Sequence, residues 1–167
     1  MSYSMNYGLE VTNVATADIN NWLKNRPETI EVVNVENDPS FQKRDIDLIW
    51  KTQNQKVLIE IKGDCYHKTG NFFFETDSNL ERQTPGCFMY TEADWIFYYF
   101  VGNKTLYQLP MPLTKEWFIK NINRFRKRST QTLISGGGYY TTVGRLVPIN
   151  DVIKEVTGVI QINLDTD

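Results

Sequence analysis

An α/β domain with a mixed, partly antiparallel sheet and flanking helices is what the sequence predicts. Three observations carry it: apolar residues at three-and-four spacing over residues 9–24, strand–turn–strand patterns over 45–62 and 94–109, and a second helical periodicity beginning at Thr114. At 167 residues, with 41% hydrophobic and 23% charged residues, the chain is long enough for one core and short for two. Residues 1–167 are therefore expected to form a single domain.

Over residues 9–24 the apolar positions Leu9, Val11, Val14, Ala15, Ile19, Trp22 and Leu23 fit one helix, with no proline before Pro27. Residues 29–35 are β-branched and alternating, hence a strand, which ends in the turn-rich Asn37-Asp38-Pro39-Ser40. Strands at 45–50 and 57–62 flank a polar turn and form a hairpin. Another strand spans 71–76 around Phe72-Phe73-Phe74, and a second hairpin, 94–102 with 105–109, turns at Gly102-Asn103. Residues 78–86 between them read as a short helix or loop. Thr114 caps a helix running to about residue 128, with Trp117, Phe118, Ile119, Ile122 and Phe125 on its apolar face. After the break at Gly136-Gly137-Gly138 come a strand over 139–147 and a last helix capped by Asn150 and ending near Gly158.

Composition excludes several classes. The longest uncharged apolar stretch, 95–101, falls far short of the roughly 20 residues of a membrane-spanning helix. The first eight residues have neither a basic start nor an apolar run, so no secretory leader is read and a cytoplasmic location is expected. Cys65, Cys87 and His67 are the only residues of their kinds, which leaves no repeated Cys/His spacing of the sort zinc sites use; two reduced thiols fit a reducing compartment. A net charge of −2 argues against coating nucleic acid by bulk charge, yet residues 115–128 hold six bases (Lys115, Lys120, Arg124, Arg126, Lys127, Arg128) against the single acid Glu116. That segment is the expected contact for phosphates; a solvated helix face is the alternative.

The chemistry concentrates in the first hairpin. Side chains alternate, so Asp45, Asp47 and Ile49 share one face, and Glu60 and Lys62 project together from a strand whose other face is Val57, Ile59 and Ile61. If the hairpin closes symmetrically, with Trp50 opposite Val57, Asp47 falls opposite Glu60 and Asp45 opposite Lys62. Like charges opposed at about 5 Å destabilise a sheet. A divalent cation removes that conflict, since one or two carboxylates are how magnesium is usually held. Lys62 then lies where it can reach a water or an attacked phosphate, and the group reads as a hydrolytic constellation. An ordinary cross-strand ion pair between Asp45 and Lys62 is the competing reading.

Asp47, followed thirteen residues on by Glu60-Ile61-Lys62 at the end of an apolar strand, resembles the PD-(D/E)XK nuclease superfamily. The match covers residues 9–109 in element order, with 110–167 as an extension. The resemblance implies a restriction endonuclease-like core and a magnesium-dependent DNA endonuclease of the restriction, homing or resolvase kind, with Mn2+ able to replace Mg2+. It assigns Asp47 and Glu60 to the metal and Lys62 to the nucleophile. No proline precedes the first acid: Arg44-Asp45 or Ile46-Asp47 stands where Pro-Asp would. Some members add a glutamate from the first helix; Glu10 is the matching position here, with Glu28, Glu31 and Glu36 competing. Asp45 and Glu75 are auxiliary candidates, Glu75 and Asp77 being either supports of the site or surface carboxylates. Arg82 and Gln83 are read as a solvated face, and the glycine run and Tyr139-Tyr140 as connection and core. DNA is the expected partner, and a homo-oligomer is an allowed assembly. A non-catalytic DNA-binding or assembly module on the same fold is the alternative function.

Overall fold

The structure, a computed structural model, describes residues 2–3, 5–134 and 137–166, with side-chain burial from Gly8 onward. Met1 and Ser4 of the opening segment and Gly136 of the glycine run lie outside the described residues. The first helix, α1 (Met5–Lys24), starts four residues before the apolar periodicity does. It packs Ala15, Ile19 and Leu23 onto one face of a six-stranded mixed sheet. That sheet runs β11 (Ile160–Asn163), β8 (Thr105–Pro110), β7 (Trp95–Phe100), β4 (Lys56–Asp64), β3 (Leu48–Thr52) and β2 (Thr29–Asn34). β2, β3 and β4 form an antiparallel meander, β7 joins β4 in parallel, and β8 and β11 follow antiparallel.

The uncharged strand β7 sits next to the centre because it can bury both faces. Phe97 and Tyr99 pack toward α1, while Ile96, Tyr98 and Phe100 join a second core. On that second side lies a five-stranded sheet: β1 (Ser2–Tyr3), β9 (Arg126–Leu133), β10 (Tyr139–Pro148), β5 (Asn71–Asn79) and β6 (Thr84–Pro85). Phe72 and Phe74 of β5 are fully buried between the sheets. Phe74 stacks at 3.7 Å on Phe88 of α3 (Cys87–Tyr90) and meets Phe118 of α4 (Leu113–Asn121) edge-on at 5.2 Å. The short helices α2 (Pro39–Gln42) and α5 (Ile149–Glu155) complete the fold. Among the described residues no helix is long and apolar enough to cross a membrane.

The hydroxyl of Tyr98 ties the sheets together. It accepts from the Phe73 amide of β5 at 3.0 Å and donates to Asp64 of β4. Helix and strand also meet closely at Gly63, where a Cβ would lie 2.9 Å from Ala15 Cβ and 3.1 Å from the Val11 carbonyl oxygen. Only glycine allows α1 that near β4.

Several expectations are corrected. Residues 45–47 are not strand: α2, capped by Asp38 accepting from Ser40 N at 2.8 Å, runs into a turn in which Asp45 takes a left-handed φ of 56°. Aspartate tolerates that conformation better than most residues. The helix from Thr114 ends at Asn121, not near 128; a 3-10 turn follows, Phe125 drops into the core, and Arg126 onward pairs with β10 from Arg126 opposite Leu146 to Leu133 opposite Tyr139. Tertiary pairing with β10 outweighs the helical spacing. The N-caps are Pro112 and Pro148 rather than Thr114 and Asn150: Thr114 lies inside α4, its hydroxyl donating to the Pro110 carbonyl at 2.7 Å, and Asn150 lies inside α5. Residues 78–86 finish β5, turn, and form β6, while α3 and β11 were not anticipated.

Candidate active site

The hairpin closes in the register the sequence implies. Trp50 opposes Val57 and Leu48 opposes Ile59; Asp47, just ahead of β3, steps out of that register by one residue and donates its amide to the Ile59 carbonyl at 2.9 Å. The Asp47 carbonyl accepts from Val35 N at 2.8 Å, and its Oδ2 accepts from Ile61 N at 2.8 Å. Asp47 is thus held by three bonds to the backbone just ahead of β3, and its carboxyl also shares a hydrogen bond with Glu60.

Glu60 and Lys62 project together from β4, as expected, and the face they share looks onto the second sheet rather than open solvent. Glu60 is 8% exposed, and the Lys62 side chain 26%. Lys62 Nζ pairs with Glu75 of β5, so Glu75 supports the lysine; the cross-strand pair of Lys62 with Asp45 does not form. Asp45, carried by the turn, accepts from the Tyr90 hydroxyl at 3.0 Å on Oδ1, while Thr91 donates its hydroxyl to the Asp45 carbonyl at 2.9 Å. Its Oδ2 is buried without a partner among the described residues.

The electrostatics follow from three acids in a confined space. Burial pushes the Asp45 carboxyl up to about 6, with Asp47 adding to the rise and the Tyr90 hydroxyl opposing it. Burial also raises Asp47, against the Ile61 amide. Glu60 lies well above the usual carboxylate range, first through burial and then through Asp47 and Asp45. For Lys62 burial works against the charge, but Glu75 and the other acids outweigh it and keep the ammonium protonated.

Two carboxylates could take a hard divalent ion: Asp45 and Glu60 have oxygens within 4.8 Å of one another, and Asp45 Oδ2 has no partner among the described residues, whereas Asp47 Oδ2 is taken by the Ile61 amide. Glu36, not Glu10, is the further acid whose charge reaches Asp47. Glu10 stands exposed on α1, which covers the opposite face of β4 from Glu60. Residues that the sequence pattern does not mark are Tyr90, which orients Asp45, and Cys87, whose thiol lies among the acids. Only the crossover from β5 to β7 brings either one in. His67 opens a 3-10 turn and its ring packs on Gly102, while Arg82 and Gln83 lie in the turn after β5.

The basic segment is divided. Arg124 is engaged with Glu155 at 2.8 Å and Asp151 at 3.4 Å, holding α5 to the chain before β9. Lys115 and Lys120 lie on α4, and Arg126, Lys127 and Arg128 are three consecutive exposed residues of β9 with no ion pair among the described residues. No protein-family model, curated protein or solved structure matches the chain.

Proposed function

We propose that the chain is a magnesium-dependent DNA endonuclease with a restriction endonuclease-like core. The observation that carries this reading is the approach of Asp45 and Glu60 oxygens to within 4.8 Å of one another, with Asp47 next to them and the half-buried ammonium of Lys62 on the same side of β4. The element order α1, antiparallel β2–β3–β4 and then parallel β7 supports the same family resemblance that the Asp47/Glu60/Lys62 spacing raised.

Asp47 and Glu60 would hold the ion, Asp45 adding its free oxygen. A bound magnesium ion supplies Lewis acidity toward a water and the phosphodiester. Lys62, kept charged by Glu75, stabilises the negative charge that grows on the phosphoryl oxygens. The Ile61 amide and the Tyr90 hydroxyl fix the acids, so little rearrangement accompanies the reaction. Arg126, Lys127 and Arg128 bind the DNA backbone, which needs charge and no sequence reading.

The test is thermal. Magnesium at about a hundredfold over Kd raises the wild-type melting temperature by about 5–10 °C and that of Glu60→Gln much less. Equal shifts would remove Glu60 from the site. For the DNA surface, Arg126→Ala, Lys127→Ala and Arg128→Ala together weaken binding to all sequences alike and reduce the slope of log affinity against log salt by about 0.9 for each phosphate no longer neutralised. An unchanged slope in fluorescence anisotropy would assign β9 to the solvated surface. Arg124→Ala serves as the contrast, because its charge is already satisfied by Glu155.

A further inference from the structure

A thiol stands among the carboxylates. Cys87 Sγ, an oxygen of Asp45 and an oxygen of Glu60 all lie within 4.8 Å of one another. Cys87 and Glu60 are each 8% exposed. Asp45 also carries a buried oxygen, Oδ2, with no hydrogen-bond partner among the described residues. Nor is the thiol loosely placed: it belongs to the first residue of α3, which is fixed by the Phe88–Phe74 stack at 3.7 Å and by Gly86 N donating to the Thr76 carbonyl at 2.9 Å. A Cβ at Gly86 would sit 2.5 Å from the Glu75 backbone, so α3 approaches β5 as closely as a glycine permits.

Magnesium makes no use of sulfur, whereas one sulfur and two carboxylate oxygens suit ions of the zinc class. Three protein donors also leave a fourth tetrahedral position open. We propose that Asp45, Glu60 and Cys87 form a binding site for a thiophilic divalent cation, Zn2+ or Cd2+, which competes with magnesium for Glu60 and thereby inhibits the enzyme. The inhibition rests on the nuclease reading; the binding itself does not. On binding, the thiol releases its proton to solvent and the thiolate becomes a ligand, with no change of oxidation state.

Cadmium is the probe, because a Cd–thiolate bond gives an ultraviolet charge-transfer band whether or not the protein is active. Wild-type protein develops the band with one equivalent of Cd2+, and excess Mg2+ diminishes it. Cys87→Ser loses the band and binds Zn2+ about 10–100-fold more weakly by calorimetry, while its magnesium-induced thermal shift persists. Cys65→Ser keeps the band. No band in the wild type, a band surviving in Cys87→Ser, or a band indifferent to Mg2+ would overturn the shared site. If Cys87→Ser does not fold, Cys65→Ser and the Mg2+ competition on wild type still decide. A magnesium shift without the Cd2+ band leaves the nuclease reading standing and removes this one; the band without the magnesium shift does the reverse.

Discussion

Asp47→Asn lowers magnesium-dependent cleavage of DNA by about a hundred- to a thousandfold, the loss expected when one electrostatic contribution to the transition state is removed. The fold survives it, because the amide oxygen of asparagine can still accept from Ile61 N and the substitution relieves repulsion with Glu60. Lys62→Ala produces a similar loss of rate but a less stable protein. It strips the partner from Glu75, whose side chain is 15% exposed, and leaving that partly buried carboxylate unpaired costs on the order of 1–3 kcal/mol. Glu75→Gln with Lys62→Met, which removes both charges, is therefore the better-folded control. Because these groups act as a unit, the double variant Asp47→Asn with Lys62→Met is scarcely slower than either single one. Cleavage of supercoiled, linear, single-stranded and branched DNA is the assay, with circular dichroism confirming the fold. Full activity in Asp47→Asn, or an inert wild type with magnesium and manganese, would end the assignment.

Metal-free protein loses stability as the pH rises from about 4 through about 6, the interval set by Asp45, and magnesium abolishes the loss. Asp45, Asp47 and Glu60 all hold protons more tightly folded than unfolded. A carboxyl raised in the folded state contributes fully below its unfolded pKa and loses that contribution as the pH climbs through its folded value. For Asp45, the rise from 3.8 to about 6 corresponds to at most about 3 kcal/mol. Urea melts at several pH values, without and with Mg2+, measure it. Glu60→Gln, having one acid fewer, shows a flatter profile. A metal-free stability that climbs across this range would contradict the buried acid cluster.

The hairpin was legible because a period of two leaves few choices: Val57, Ile59 and Ile61 had to face α1, which sent Glu60 and Lys62 the other way. The symmetric turn then set the register from Trp50 opposite Val57 to Leu48 opposite Ile59, while Asp47, bonded to the Ile59 carbonyl, lies one residue out of it. Asp45 could not be read as a turn residue, since Asp-Ile-Asp-Leu alternates like a strand and only the bonds from α2 bend it. The cover over Glu60 was equally hidden. Phe72-Phe73-Phe74 announced a buried strand but not that it belongs to a separate sheet lying over the acids. Arg126 to Arg128 continued a helical spacing and a charge run at once, and the partners that make them a strand, Gly144 to Leu146, lie beyond any local signal.

The Tyr98 hydroxyl and the Lys62–Glu75 pair occupy matching positions. Asp64 is two residues beyond Lys62 on β4, and Phe73 is two residues before Glu75 on β5. They are two rungs of one ladder between the sheets. A single rung would act as a hinge, leaving β5 free to swing about it; two rungs fix the angle as well as the gap. The ammonium of Lys62 is thus aimed partly by a phenol that stands apart from Asp45, Asp47 and Glu60. The sheets behave at this point as the jaws of one clamp rather than as two layers that slide.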